Sequence, residues 1–190
     1  MTVSIDPVAD FARRVMRFSP DGLVRTRASA SGTARLWAVL PFKALVCLDL
    51  PVPFEGDVVV SAADLAAGGA SPSRRHEMEW RTTLPATDGR VIETVPAADL
   101  RRVDAAAAET LRARRGQGVG DRRLRDALLD HVALTVEGEH EVPLRLVTAL
   151  FRMGLHTGEE PVSVRLAGRR IGLAGSRGIA WGMDPGLRLL

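Results

Sequence analysis

The sequence predicts an α+β fold in which antiparallel sheet packs with its helices on one side, built as a pseudo-repeat of βα units. Three observations carry this. Short alternating or all-apolar runs are interleaved with amphipathic stretches of helical period. Glycines and prolines punctuate the joins between them. An eight-residue pattern also occurs twice, as Val58-Val59-Val60-Ser61-Ala62-Ala63-Asp64-Leu65 and as Glu93-Thr94-Val95-Pro96-Ala97-Ala98-Asp99-Leu100. Each copy reads as a strand, a Ser or Pro at the junction, and the start of a helix.

The elements follow in order. Val8, Phe11, Ala12, Val15 and Phe18 fall on one face of a helix over 8–18, and Asp6-Pro7 supplies its cap and first-turn proline. Ser19-Pro20-Asp21-Gly22 is a turn. Strands are expected at 23–29, 34–40 and 44–50; Leu36, Ala38 and Leu40 alternate, and the near-continuous apolar run Ala44 to Leu50 reads as a central strand. Glu77 and Glu79 alternate with Met78 and Trp80 as on a solvated strand. The longest helix is expected over about 97–115, closed by the loop Arg115 to Asp121. A strand is expected over 127–136. A third, looser βα unit (Glu141-Val142-Pro143-Leu144-Arg145-Leu146) opens a helix to about 154. Strands 162–166, 169–174 and 178–183 complete the chain, with Gly168 and Gly175 to Gly178 in tight hairpins. Two modules, 1–85 and 86–190, are the expected division.

Composition narrows the function. The chain has 190 residues, 46% of them hydrophobic and 26% charged, as expected of a globular protein with a real core. No apolar run approaches a membrane span of about 20 residues, and the first residues lack the pattern of a signal peptide. One cysteine, Cys47, excludes an internal disulfide framework and agrees with a cytoplasmic location. Only one of 26 basic residues is lysine, and there is no asparagine, the usage of a GC-rich bacterial genome.

The net charge is only +3, but it is unevenly placed. Residues 101–125 hold eight arginines against Asp104, Glu109 and Asp121, which makes this segment +5 and leaves the remainder at −2. Such a segment suits a face that meets a polyanion. It equally suits a solvated helix in an Arg-rich chain.

Nothing in the sequence spells out catalysis. His76, His131, His140 and His156 are scattered without ligand spacing, so no metal or cofactor is expected. Cys47 in an apolar strand reads as a small core residue. No serine lies in a Gly-x-Ser-x-Gly context. Gly116-x-Gly118-x-Gly120 follows a helix, where a dinucleotide loop would follow a strand, and Gly172-x-x-Gly175-x-x-Gly178 lies in a hairpin series.

The arginines remain as candidates for contacting duplex DNA. Arg13 and Arg17 stand at i, i+4 on the first helix. Arg101 and Arg102 open the long helix, and Arg112, Arg114 and Arg115 close it. Arg145 and Arg152, at i, i+7, share a face of the third helix. Basic stripes on three helices would meet phosphates without reading bases. Arginines at a helix C-terminus also complement the dipole, the plainer account of Arg112 to Arg115. With aromatics at 4% and no tyrosine, a stacking platform for single strands is not expected.

The order of these elements resembles that of DNA sliding clamps, the processivity factors. The likeness rests on Asp21-Gly22-Leu23-Val24-Arg25-Thr26-Arg27-Ala28, on Ala44-Leu45-Val46-Cys47-Leu48-Asp49-Leu50-Pro51, and on Val58 to Leu65. These are similar to the clamp's Asp-Gly strand, its strand ending in acidic-Leu-Pro, and its strand leading into Asp-Leu and a helix. Val95 to Val103, Val142 to Val147 and Val162 to Trp181 resemble the helices and closing hairpins of a bacterial clamp module. Residues 66–96 have little clamp counterpart, and the chain is shorter than a full clamp subunit. The resemblance implies curved sheet outside, basic helices inside, non-specific phosphate contacts, assembly with replication or repair proteins, and a homo-oligomer. Two alternatives stay open: a clamp-like adaptor that binds partner proteins without DNA, and a small enzyme or ligand-binding protein of unrelated α+β fold.

Overall fold

The computed structural model describes residues 6–68, 75–114 and 121–184. Its centre is one eight-stranded, wholly antiparallel sheet. In chain order the strands are β1 (Leu23–Ala28), β2 (Thr33–Leu40), β3 (Ala44–Pro53), β4 (Asp57–Ser61), β5 (Arg90–Val95), β6 (Val132–Val136), β7 (His140–Pro143), β8 (Val162–Ala167), β9 (Arg170–Ala174) and β10 (Gly178–Gly182). The helices are α1 (Pro7–Phe18), α2 (Ala62–Ala66), α3 (Ala97–Ala113), α4 (Asp121–Asp130) and α5 (Leu144–Arg152). The sheet runs β4-β1-β2-β3-β10-β9-β8-β5, and β6 and β7 form a separate hairpin.

This order is symmetric about the β3–β10 seam, where Val46 faces Ala180 and Cys47 faces Ile179. On each side a helix (α1 or α5) enters a three-strand meander. The outermost strand on each side runs into a helix, β4 into α2 after its meander and β5 into α3 before it. The repeated octapeptide of the sequence therefore marks the two ends of one sheet. Ala62 and Ala97 are the matching first residues of the two helices, and both are fully buried. The caps differ. The Ser61 hydroxyl accepts from the Asp64 amide at 3.0 Å. Pro96 caps α3 without a side-chain bond and stands one position outside the helix, as Pro143 does at α5.

The strongest local signals produce their elements. Asp6 caps α1 by accepting from the Val8 amide at 2.9 Å, with Pro7 at the first turn. Phe11, Ala12 and Val15 bury the predicted face. Leu36, Ala38 and Leu40 of β2 and Val46 and Leu48 of β3 point to the same side, against α1 and α5, and with Leu146, Val147 and Leu150 they form the main core.

Four expectations are corrected. The strand expected over 127–136 is only Val132–Val136; residues 127–130, with Asp121 of the expected loop, belong to a helix, α4. His131 consequently lies between the two, its amide donating to the Leu128 carbonyl at 3.1 Å. The strand of the third βα unit, β7, pairs with β6 and not with the main sheet. Glu77–Glu79 is a single 3-10 turn, with Met78 turned to solvent. The loop containing Arg115 and Gly116-x-Gly118-x-Gly120, and the tail after Asp184, lie outside the described residues.

The other side of the sheet is also covered. Trp37, Leu45, Cys47, Ile179 and Trp181 form a second cluster, packed against Trp80 and Leu84 from the segment 75–89. That segment is a strap. The His76 amide donates to the Val59 carbonyl at the β4 edge (2.8 Å). Arg35 grips Asp88 of the strap and Asp49 of β3. Burial pulls the Arg35 pKa down, but the bonds to Asp88 and Asp49 outweigh it and the net shift is upward. The Asp88 carboxyl is correspondingly held below its ordinary range, first by the bond from Arg35. Burial pushes the Cys47 thiol up to about 12, so it is an inert core group.

One buried histidine gives the fold a pH response. His156 Nδ1 accepts from the Ser176 amide at 3.2 Å, while Nε2 is buried without a partner. Burial, then the Arg101 charge, lowers its pKa below 6.5. The unfolded chain therefore binds this proton more readily than the folded one. The His156 contribution is complete above about pH 6.5 and is lost as pH falls through the folded value. Melting curves between pH 7.5 and pH 5, each an approximate bound around that pKa, should show the midpoint falling. In His156→Asn, which keeps an acceptor for Ser176 but does not titrate, that part of the slope should vanish.

Candidate nucleic-acid interface

The helices on one side of the sheet present the chain's basic surface. Along α1, Arg13 and Arg17 are exposed and make no ion pair among the described residues, whereas Arg14 between them is tied to Asp10 (2.9 Å) and to the Arg152 carbonyl (3.2 Å). On α3, Arg101 is spent locally. It donates to the Gly158 carbonyl (2.6 Å), pairs with Glu159 (3.2 Å) and lies over the Phe151 ring. Arg102 pairs with Asp99 one turn back (2.5 Å) but remains largely exposed. Arg112 and Arg114 are exposed at the end of the helix, and Arg115 lies outside the described residues.

On α5 the expected shared face divides. Arg152 is exposed. Arg145 turns inward, donating to the Phe42 carbonyl at 3.0 Å and pairing with Asp130 at the end of α4, so its side chain is only 13% exposed. Burial lowers its pKa. Its geometry is that of a brace between the β2–β3 turn, α4 and α5.

The structure adds residues that sequence reasoning did not select. Helix α4 adds three exposed arginines, of which Arg122 and Arg125 join a lining shared with α1, α3 and α5, while Arg123 lies outside it. Their helical signal was present: Leu124 and Leu128 stand at i, i+4, as do Arg122 and Asp126, which approach to 4.0 Å. Arg122 and Arg125 border a groove of about 530 Å³ together with Arg17 of α1 and Arg152 of α5. A stripe of α5, Leu144, Thr148 and Arg152, forms one part of its lining, and Asp104, Ala108 and Leu111 of α3 form another. Asp104 is held by the Thr148 hydroxyl at 2.7 Å. Phe18 and Phe42, in edge contact at 5.4 Å between centroids, lie at the α1 side.

Exposed arginines without an ion pair among the described residues thus stand on neighbouring helices, and surfaces of that kind meet phosphates without base-reading geometry. Among the described residues no group of three or more His, Cys, Asp and Glu could hold a metal ion, and no helix is long and apolar enough to cross a membrane.

Helices on one side of a pseudo-symmetric antiparallel sheet define the architecture of a sliding clamp, and solved structures bear this out. The chain is similar to the DNA polymerase III beta subunit of Thermotoga maritima (TM-score 0.52, 13% identity, 97% of this chain and 63% of that one). It is similar also to the DnaN sliding clamp of Bartonella birtlesii bound to griselimycin (0.57, 13%, 97% and 65%) and to the beta subunit from DNA polymerase of Streptococcus pyogenes (0.56, 10%, 96% and 63%). At these identities the likeness is one of fold, and the chain spans under two thirds of the length of those subunits. By sequence the chain belongs to the family described as domain of unknown function DUF8185, whose model matches residues 84–186. No curated protein matches it. The reading as an unrelated α+β fold is thereby overturned.

Proposed function

We propose that this is a clamp-like, non-enzymatic protein that lays its helical face on duplex DNA and assembles with replication or repair proteins. The observation that carries the reading is the set of exposed arginines, Arg13, Arg17, Arg112, Arg114 and Arg152, which have no ion-pair partner among the described residues and stand on the side of the sheet that bears the helices. Arg102 extends that surface, and Arg101 and Arg145 support it from within. Contact through phosphates alone would make binding insensitive to sequence and steeply salt-dependent. These residues match under two thirds of a clamp subunit, so they would encircle DNA only together with further clamp modules, such as those of other copies in a homo-oligomer.

The test is fluorescence anisotropy of a labelled duplex of about 30 base pairs across a salt series, whose log–log slope is roughly −0.9 per phosphate neutralised. Replacing Arg13, Arg17 and Arg152 together by alanine should weaken binding by about tenfold or more and flatten the slope by about 1 for each arginine that met a phosphate. Absence of binding at low salt removes the DNA reading. It leaves the second one, an adaptor of clamp fold for protein partners, which the apolar lining of the groove favours.

A further inference from the structure

The groove between α1, α3, α4 and α5 has a feature that phosphate binding does not require. Phe18, Phe42, Leu111 and Leu128, each partly exposed, line it above the buried Leu144, so apolar surface lies beside cationic side chains. Its volume of about 530 Å³ falls among sites that enclose ligands, roughly 300–1,000 Å³. The cations come from three helices. Arg17 comes from α1, Arg122 and Arg125 from α4, and Arg152 from α5. Four arginines outnumber the two acids of the lining, Asp104, which accepts from the Thr148 hydroxyl, and Asp126, which stands 4.0 Å from Arg122.

From this geometry we infer that the groove binds an acidic amphipathic helix of a partner protein. Its apolar ridge would lie on the leucine and phenylalanine lining, and its flanking carboxylates would meet Arg17, Arg125 and Arg152. An apolar strip bordered by cations from three helices complements an apolar ridge bordered by acids, the helix-in-groove mode of recognition. A single-headed amphiphile needs its cations at one point. A second copy of the chain would bring the same basic face, and like charges oppose that pairing. The inference rests on the groove alone and does not need the DNA reading.

The probe is a fluorescein-labelled synthetic helix of about 15 residues, with leucines at i, i+3, i+4 and i+7 and glutamates on the flanks. Its control is a scrambled peptide of identical composition, so charge is constant and only the ridge is lost. In the absence of DNA, the amphipathic peptide should bind at least about tenfold more tightly than the scrambled one. Ala108→Glu, which places a carboxylate in the groove, and Arg125→Glu, at its rim, should each weaken it about tenfold. Arg123→Glu makes the same charge change on the same helix outside the lining, and should stay within about twofold. Unchanged melting temperatures of the variants exclude misfolding as the cause. Equal affinity for both peptides, an Arg123→Glu loss as large as that of Arg125→Glu, binding of dodecanoate but not of the peptide, or self-association that closes the groove would each overturn the proposal. Loss of duplex binding in Arg13→Glu with peptide binding intact would keep the two readings separate.

Discussion

Replacing Gly178 by alanine should unseat the middle of the sheet. Gly178 faces Leu48 across the β3–β10 seam, and a Cβ at this position would lie 2.0 Å from the Cys47 carbonyl oxygen and 3.1 Å from the Leu48 Cα. Those neighbours are backbone atoms of a central strand, fully buried at Cys47, so no side chain can swing aside. Relief requires the strands to separate, and that would disturb the bonds around the seam. The Asp49 amide donates to the Arg177 carbonyl at 2.9 Å, and the Gly175 amide donates to the Gly178 carbonyl at 2.9 Å. The expected cost is about 3 kcal/mol, the upper part of the range for inserting a methyl into a packed interior. For a chain of this size that corresponds to a melting midpoint lower by roughly 6–12 °C. Gly182→Ala, in the same strand, is the control: its Cβ would meet nothing closer than 3.5 Å, and the midpoint should move by less than about 2 °C. Thermal melts followed by circular dichroism decide it. A Gly178→Ala protein as stable as Gly182→Ala would mean that the two halves do not join at this close approach.

What the sequence made legible follows the range of the interaction. Helix α1 was readable because its cap, its first-turn proline and its apolar stripe all lie within a dozen residues. The octapeptide repeat was readable as two βα units, and its place at opposite edges of one sheet follows once β3 meets β10. Trp37 was harder. It alternates with Leu36 and Ala38 as a solvent-facing residue would, yet it is buried because Trp80 and Leu84 cross that face. The strap that brings them has no periodicity to announce it. The arginines divide on the same principle. Arg13 and Arg17 are exposed because helix period alone puts them opposite Phe11 and Val15. Arg145 follows an equally good helix period, but its partners are Asp130 and the carbonyl of Phe42, 103 residues away in sequence. Whether a surface arginine is free or spent depends on such distant partners, so the candidate site was legible only in part. Helix α4 was missed for a different reason. Its apolar residues Leu128 and Leu129 run on through His131 into the alternating β6, and the strand pattern absorbed the last turns of the helix.

The strap should come loose before the rest of the molecule when Arg170 is replaced by alanine. Arg170 of β9 is only 6% exposed, and a single guanidinium holds three groups. It donates to the Thr83 carbonyl at 2.9 Å and the Thr83 hydroxyl at 3.1 Å, and it pairs with Asp184 beyond β10 at 3.2 Å. The planar fork of an arginine suits this double attachment and a lysine ammonium does not, so Arg170→Lys should restore only part of the stability. Thr83 and Asp184 are themselves exposed enough to rehydrate, which holds the expected loss to about 2 kcal/mol. The loss should be local. All three tryptophans of the chain, Trp37, Trp80 and Trp181, belong to the cluster under the strap, whereas the main core between sheet and helices lies on the opposite side. In urea, the tryptophan emission of Arg170→Ala should shift to the red at lower denaturant than the loss of far-ultraviolet circular dichroism, while in the unaltered protein the two transitions coincide. If the two transitions still coincide in the variant, the strap and the sheet unfold as one unit, and Arg170 is not what fastens segment 75–89.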